Sequence, residues 1–219
     1  MLHGHSGRKE DNLPIAERFC TAGFRCILVD LPGHGENRAL HATFGKSECE
    51  LMEEVADDLK TRLGTKTGPM GLFGISQGGA IALQTAARPG ERWFAVVSAA
   101  TFTSLDLPVA GAARRFSGPL ASITAGACGL GIRCRGGFFP GEISPLHAAS
   151  HLKIPAFIVH GMKDSFIPFA QGKAIYDAIP HSRKTYLPIP DGNHNNVLAK
   201  GGNSMYADLC SFYLSSLPQ

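Results

Sequence analysis

The sequence predicts an α/β fold in which a mostly parallel sheet is flanked by helices. Short apolar runs alternate with longer amphipathic stretches, the pattern of repeated βα units. Glycine and proline, 26 and 14 of 219 residues, punctuate the joints between them. With 44% hydrophobic and 18% charged residues, the chain fits one globular domain, 1–219, with a sizeable core.

Taken in order, Met1 and Leu2 read as the tail of a strand. A helix is expected near 12–22, then a strand at R-C-I-L-V-D (25–30). The helix near 47–63 carries Leu51, Val55, Leu59 and Leu63 at every fourth position, one apolar stripe. The strand P-M-G-L-F-G (69–74) leads into a helix near 77–88, and W-F-A-V-V-S (93–98) forms the next strand. Residues 101–151 interrupt this alternation with glycine- and proline-rich punctuation and scattered Phe and Leu, and are expected to form a small cap or lid of short helices and loops over one end of the sheet. The pattern resumes with P-A-F-I-V-H (155–160), a helix near 168–179, K-T-Y-L-P-I (184–189) and a helix near 203–216.

Composition narrows the function. Lys and Arg number 21 against 18 Asp and Glu, a net charge of +3 with the signs interspersed, so no nucleic-acid partner is expected. No apolar run reaches the roughly 18 residues of a membrane span, and M-L-H-G-H-S-G lacks the segments of a signal peptide; the expectation is no membrane span and a cytoplasmic location. The six cysteines form no C-x-x-C and no zinc-like spacing with His, so neither metal nor cofactor is expected. Cys128 and Cys134, placed across a glycine-rich loop, are the one pair suited to a bridge; the reading adopted is free thiols.

Chemistry concentrates at three points. Gly74-Ile75-Ser76-Gln77-Gly78-Gly79 stands where a strand run meets a helix run. Such a turn exposes the serine hydroxyl, lets neighbouring backbone approach the glycines and sets a helix N-terminus beneath developing negative charge. A serine that only caps the helix would satisfy the same pattern. Asp164 follows the strand at 155–160, and His194 follows the strand at 184–189. A hydroxyl needs a neutral imidazole to take its proton, and the imidazolium needs a carboxylate. All three residues would lie past the C-terminal ends of parallel strands, where open α/β sheets place their sites. Asp191, three residues before His194, is an alternative acid that would have to fold back beneath the ring. His160, ending an apolar run, reads as a hydrogen-bonded core residue, and His3 and His34 as braces of nearby turns.

With these residues in this order, the chain resembles the α/β-hydrolase superfamily along nearly its whole length, and within it the small-cap carboxylesterase, lysophospholipase-like and acyl-peptidase-like group. Leu2-His3-Gly4-His5-Ser6-Gly7 looks like that superfamily's H-G-x-x-G turn, and Asp30-Leu31-Pro32-Gly33-His34-Gly35 like the turn after its fourth strand. The resemblance implies an oxyanion hole made by the backbone N–H groups of His5 and Gln77. It also implies strands before the H-G-x-x-G turn, so the chain reads as truncated or partial at its start.

The expected function is a serine hydrolase of esters or thioesters with small to medium acyl groups, with Ser76, His194 and Asp164 as its triad and a small-molecule substrate as its partner. A peptidase or amidase of the same fold, or a hydrolase-like binding protein without turnover, are the alternatives. The oligomeric state is left open.

Overall fold

The computed structural model describes residues 1–64 and 68–218. Four parallel strands, β1 (Met70–Ile75), β2 (Trp93–Ala99), β3 (Ala156–Gly161) and β4 (Lys184–Ile189), pair in the order β1-β2-β3-β4. Register pairs Leu72 with Val96, Val97 with Phe157 and Ile158 with Tyr186. Because both faces of a parallel sheet are covered, these strands are apolar on both sides rather than alternating with polar residues.

Successive side chains still point to opposite faces. Leu72, Val96 and Ile158 pack with α2 (Glu48–Leu63), α3 (Gln77–Ala86) and α7 (Phe169–Ala178) through Met52, Ile81, Leu83 and Ile175, and with Ile179 just past the end of α7. Phe73, Val97, Phe157 and Val159 face α1 (Leu13–Thr21) and α8 (Val197–Ser215) through Ile15, Phe19, Met205 and Leu209. α8 breaks at Gly202, whose φ of 61° is outside helical geometry, and the remainder matches the helix expected from 203.

The segment 25–30 is not a strand. Leu2 makes isolated parallel bridges to Val29 on one side and Gly74 on the other, and the Met1 ammonium donates to the Ile27 carbonyl at 2.7 Å. A ladder needs a partner along its length, and among the described residues Met1 and Leu2 alone bond the 25–30 segment to β1. Beside them an apolar cavity of about 400 Å³ is lined by Ile27, Met52, Leu59 and Leu72 among others.

The 101–151 segment is more helical than expected. It holds α4 (Asp106–Ser117), α5 (Ala121–Gly136) and α6 (Pro145–Ala149), with one-turn 3-10 segments at Gly118–Leu120 and Pro140–Glu142. Phe102, Leu105, Phe138 and Ile143 pack there with Ala80 and Ile167. Cys128 and Cys134 lie on α5 itself rather than across a loop, and are free.

Candidate active site

Ser76 sits between β1 and α3 with φ 53° and ψ −115°, a conformation that L residues rarely adopt and that lifts the side chain out of the turn. Two glycines make the turn possible. A Cβ at Gly74 would lie 2.1 Å from the Gly78 carbonyl oxygen, and one at Gly78 would lie 2.3 Å from the Leu2 carbonyl oxygen. The Ser76 N–H donates to Ala99 O at 2.8 Å, tying the turn to β2.

The Ser76 Oγ stands 3.0 Å from His194 Nε2, and His194 Nδ1 stands 2.8 Å from Asp164 Oδ2. The loops carrying the last two are stitched together: Lys163 N donates to Gly192 O at 2.9 Å and Met162 N to Ile189 O at 2.9 Å. Asp164 is buried, and its other oxygen accepts from the N–H groups of Phe166 and Ile167 at 2.9 and 2.7 Å. With three donors on the carboxyl, the side chain has one orientation open to it. The Phe166 ring meets the His194 ring edge-on at 5.0 Å.

Asp191 lies elsewhere: its carboxyl pairs with Lys163 Nζ at 2.6 Å in solvent, and that cation holds it below the usual carboxylate range. His160 is fully buried. Its Nε2–H donates to Ile167 O at 2.9 Å, its Nδ1 has no partner among the described residues, and burial lowers its pKa, so the ring stays neutral. His3 is buried likewise. Its Nδ1–H donates to Gly4 O at 2.7 Å while Nε2 accepts from Leu31 N at 3.0 Å, which clamps the 2–7 turn to the 30–35 turn; burial lowers its pKa as well. His34 Nδ1 donates to Pro32 O at 2.9 Å.

His5 and Gln77 are neighbours. The His5 ring nitrogen Nδ1 is 2.9 Å from Gln77 Oε1, and the backbone N–H groups of both residues donate to no acceptor among the described residues. The sequence reading missed what stands behind His5. The Phe44 ring stacks on the His5 ring at 5.6 Å, and Phe44 has φ 57°. Glu48, fully buried, holds that turn by accepting from the N–H and hydroxyl of Thr43 and, at 2.8 Å, from Gly45 N. Gln84 Nε2 donates to Phe44 O at 2.8 Å. A polar Glu one residue into a helix is also the signature of a first-turn charge, so its burial left no distinct mark in the sequence.

The family described as "Serine aminopeptidase, S33" matches residues 1–128. A Bacillus subtilis protein, YqkD, is 23% identical over 199 residues; the match covers 89% of this chain and 63% of that protein, so the chain spans less than two thirds of that relative's length. A monoacylglycerol lipase of Mycolicibacterium smegmatis is 26% identical over 95% of this chain and 84% of that enzyme. Among solved structures, a Pyrococcus furiosus esterase superposes with a TM-score of 0.79 at 17% identity over 99% of this chain and 82% of that one. A Paleococcus ferrophilus monoacylglycerol lipase does so with 0.71 at 16% over 98% and 93%.

Proposed function

The chain belongs to the serine aminopeptidase S33 family of α/β hydrolases, and we propose that it is a serine hydrolase cleaving carboxylic esters or thioesters of small to medium acyl groups through an acyl-enzyme. The observation that carries this reading is the continuous relay from Ser76 Oγ through His194 to Asp164, at 3.0 and 2.8 Å. In it, His194 Nε2 takes the Ser76 proton as Oγ attacks the acyl carbon, then returns that proton to the leaving oxygen or sulfur; water repeats the cycle on the acyl-enzyme. Asp164 fixes the imidazole tautomer and offsets the imidazolium charge. The His5 and Gln77 N–H groups hold the oxyanion.

An aminopeptidase reading would need a carboxylate to hold a substrate ammonium. The cap we assign to 101–151 carries two acidic residues, Asp106 and Glu142, far apart in sequence and in no acidic cluster, which favours the ester. The acyl site we assign is a groove of about 590 Å³ between α4, α5 and the 41–44 loop, lined by Phe44, Val109, Ala113, Ile132 and Phe138; none of the triad residues lines it, and it adjoins the site through Phe44, which stacks on His5.

The test is fluorophosphonate labelling of wild type and Ser76→Ala, followed by p-nitrophenyl esters of graded chain length. Labelling of the wild type alone, with a maximum at short to medium acyl groups, is the expected result. Equal labelling of both proteins removes the serine assignment, and a steady rise in kcat/KM out to palmitoyl replaces the chain-length assignment with a long-chain lipase.

A further inference from the structure

We propose that the outer face of α4 and α5 docks on an anionic lipid surface. α5 is sixteen residues long and buries none of its side chains, unlike α3, whose apolar residues are all inside. Ile123 and Leu130, seven residues apart on one side of α5, are 71% and 60% exposed, and Phe116 at the end of α4 is 85% exposed. Scattered exposed apolar residues are ordinary on a folded protein, but large ones gathered on two adjoining helices mark a surface meant to meet another. Ser117 Oγ and Thr124 Oγ1, 2.6 Å apart, hold the two helices together, so they present this face jointly.

Charge decides among occupants. The stretch 107–141 holds Arg114, Arg115, Arg133 and Arg135 and no acidic residue, although the whole chain is close to balanced. None of the four forms an ion pair among the described residues. A two-fold pairing of this face with a second copy would set arginines against arginines. An anionic bilayer instead accepts the guanidinium groups at its headgroups and Phe116, Ile123 and Leu130 at its acyl boundary. The groove described above lies beside this face: Phe116 of α4 belongs to its lining, whereas on α5 it is lined by Thr124, Cys128, Ile132 and Arg135, on the side turned away from Ile123 and Leu130. The docking itself does not depend on the assignment of Ser76.

The experiment is flotation of the full chain with vesicles of ether-linked phosphatidylcholine, alone or with 30% ether-linked phosphatidylglycerol, lipids that contain no ester to cleave. The wild type is expected to float with the anionic vesicles and much less with the neutral ones, and to be released as salt rises. Arg114→Gln/Arg115→Gln should weaken partitioning about 25-fold, at about fivefold per arginine. Ile123→Ser/Leu130→Ser should weaken it by on the order of tenfold or more, with an unchanged thermal transition because both side chains are exposed. Ser76→Ala should float like the wild type, which separates this proposal from the assigned chemistry. Absence of flotation, equal flotation on both vesicle types, or undiminished flotation of both double variants overturns the proposal. So does a wild-type dimer that Ile123→Ser/Leu130→Ser returns to monomer, which would give the face to a second copy.

Discussion

The side chains of His5 and Gln77 meet, Nδ1 to Oε1 at 2.9 Å, so the two residues proposed to supply oxyanion N–H groups, one from the 2–7 turn and one from the start of α3, are tied to each other directly. Neither N–H is touched when the side chains are cut back. Gln77→Ala is therefore expected to lower kcat by roughly tenfold with little change in KM, short of the 10²–10³ that follows loss of a whole donor. If the tie is the cause, His5→Ala should cost about the same and the double variant little more, as a double-mutant cycle would read directly. Additive losses would break the link.

Asp164→Asn should reduce kcat by on the order of 10³–10⁴, because an amide can stabilise neither the required tautomer nor the imidazolium. Asp191→Asn should stay within about threefold of wild type, since its partner is Lys163 in solvent. Steady-state kinetics on one activated ester ranks the two; the reverse order would transfer the acid role to Asp191.

Glu48→Ala removes the acceptor for the Thr43 and Gly45 N–H groups. Unpaired buried donors cost about 1–3 kcal/mol each, so the melting temperature should fall by roughly 5–15 °C for a domain of this size. Glu48→Gln keeps one acceptor and should fall between. Because the same turn holds Phe44 against His5, kcat should drop as well at temperatures where the variant is fully folded; unchanged kcat there would uncouple Phe44 from the oxyanion turn.

Acid should destabilise the fold as the pH falls below neutrality. Burial lowers the pKa of His3 and His160, so the unfolded chain binds protons near pH 6.5 while the folded one does not. The stabilisation is complete above about pH 6.5 and is lost as pH falls from there through the folded values. Differential scanning calorimetry between pH 7.5 and 5 should show a falling transition for wild type and a shallower slope for His160→Asn. Parallel slopes would exclude His160 as a source.

The strands at 70–75, 93–99, 156–161 and 184–189 were legible because buried parallel strands leave continuous apolar runs bounded by turn residues, and these survive in one dimension. The run at 25–30 has the same look, yet a strand is a property of its neighbour, and Val29 has only Leu2 to bridge. α5 escaped notice for the opposite reason. Gly126, Gly129 and Gly131 read as breaks, although in the structure a Cβ at each of the three would meet no atom closer than 3.8 Å and the helix runs through them. At the site, the positions of Ser76, Asp164 and His194 after β1, β3 and β4 could be read, but the distances among them depend on loop-to-loop bonds such as Lys163 to Gly192. Phe44 left no trace, because a positive φ at a phenylalanine goes against its propensity.

The backbone of Ser76 carries one more implication. Holding an L residue at φ 53°, ψ −115° costs on the order of 1–3 kcal/mol, and glycine would relieve it, having no Cβ to crowd. Thermostability and turnover therefore select different residues at this position. A lineage drifting without demand for hydrolysis gains by replacing Ser76 with glycine, and a screen of random variants for heat resistance alone should enrich Ser76→Gly over Ser76→Ala. On the assignment proposed above, serine at this position keeps turnover at the expense of heat resistance.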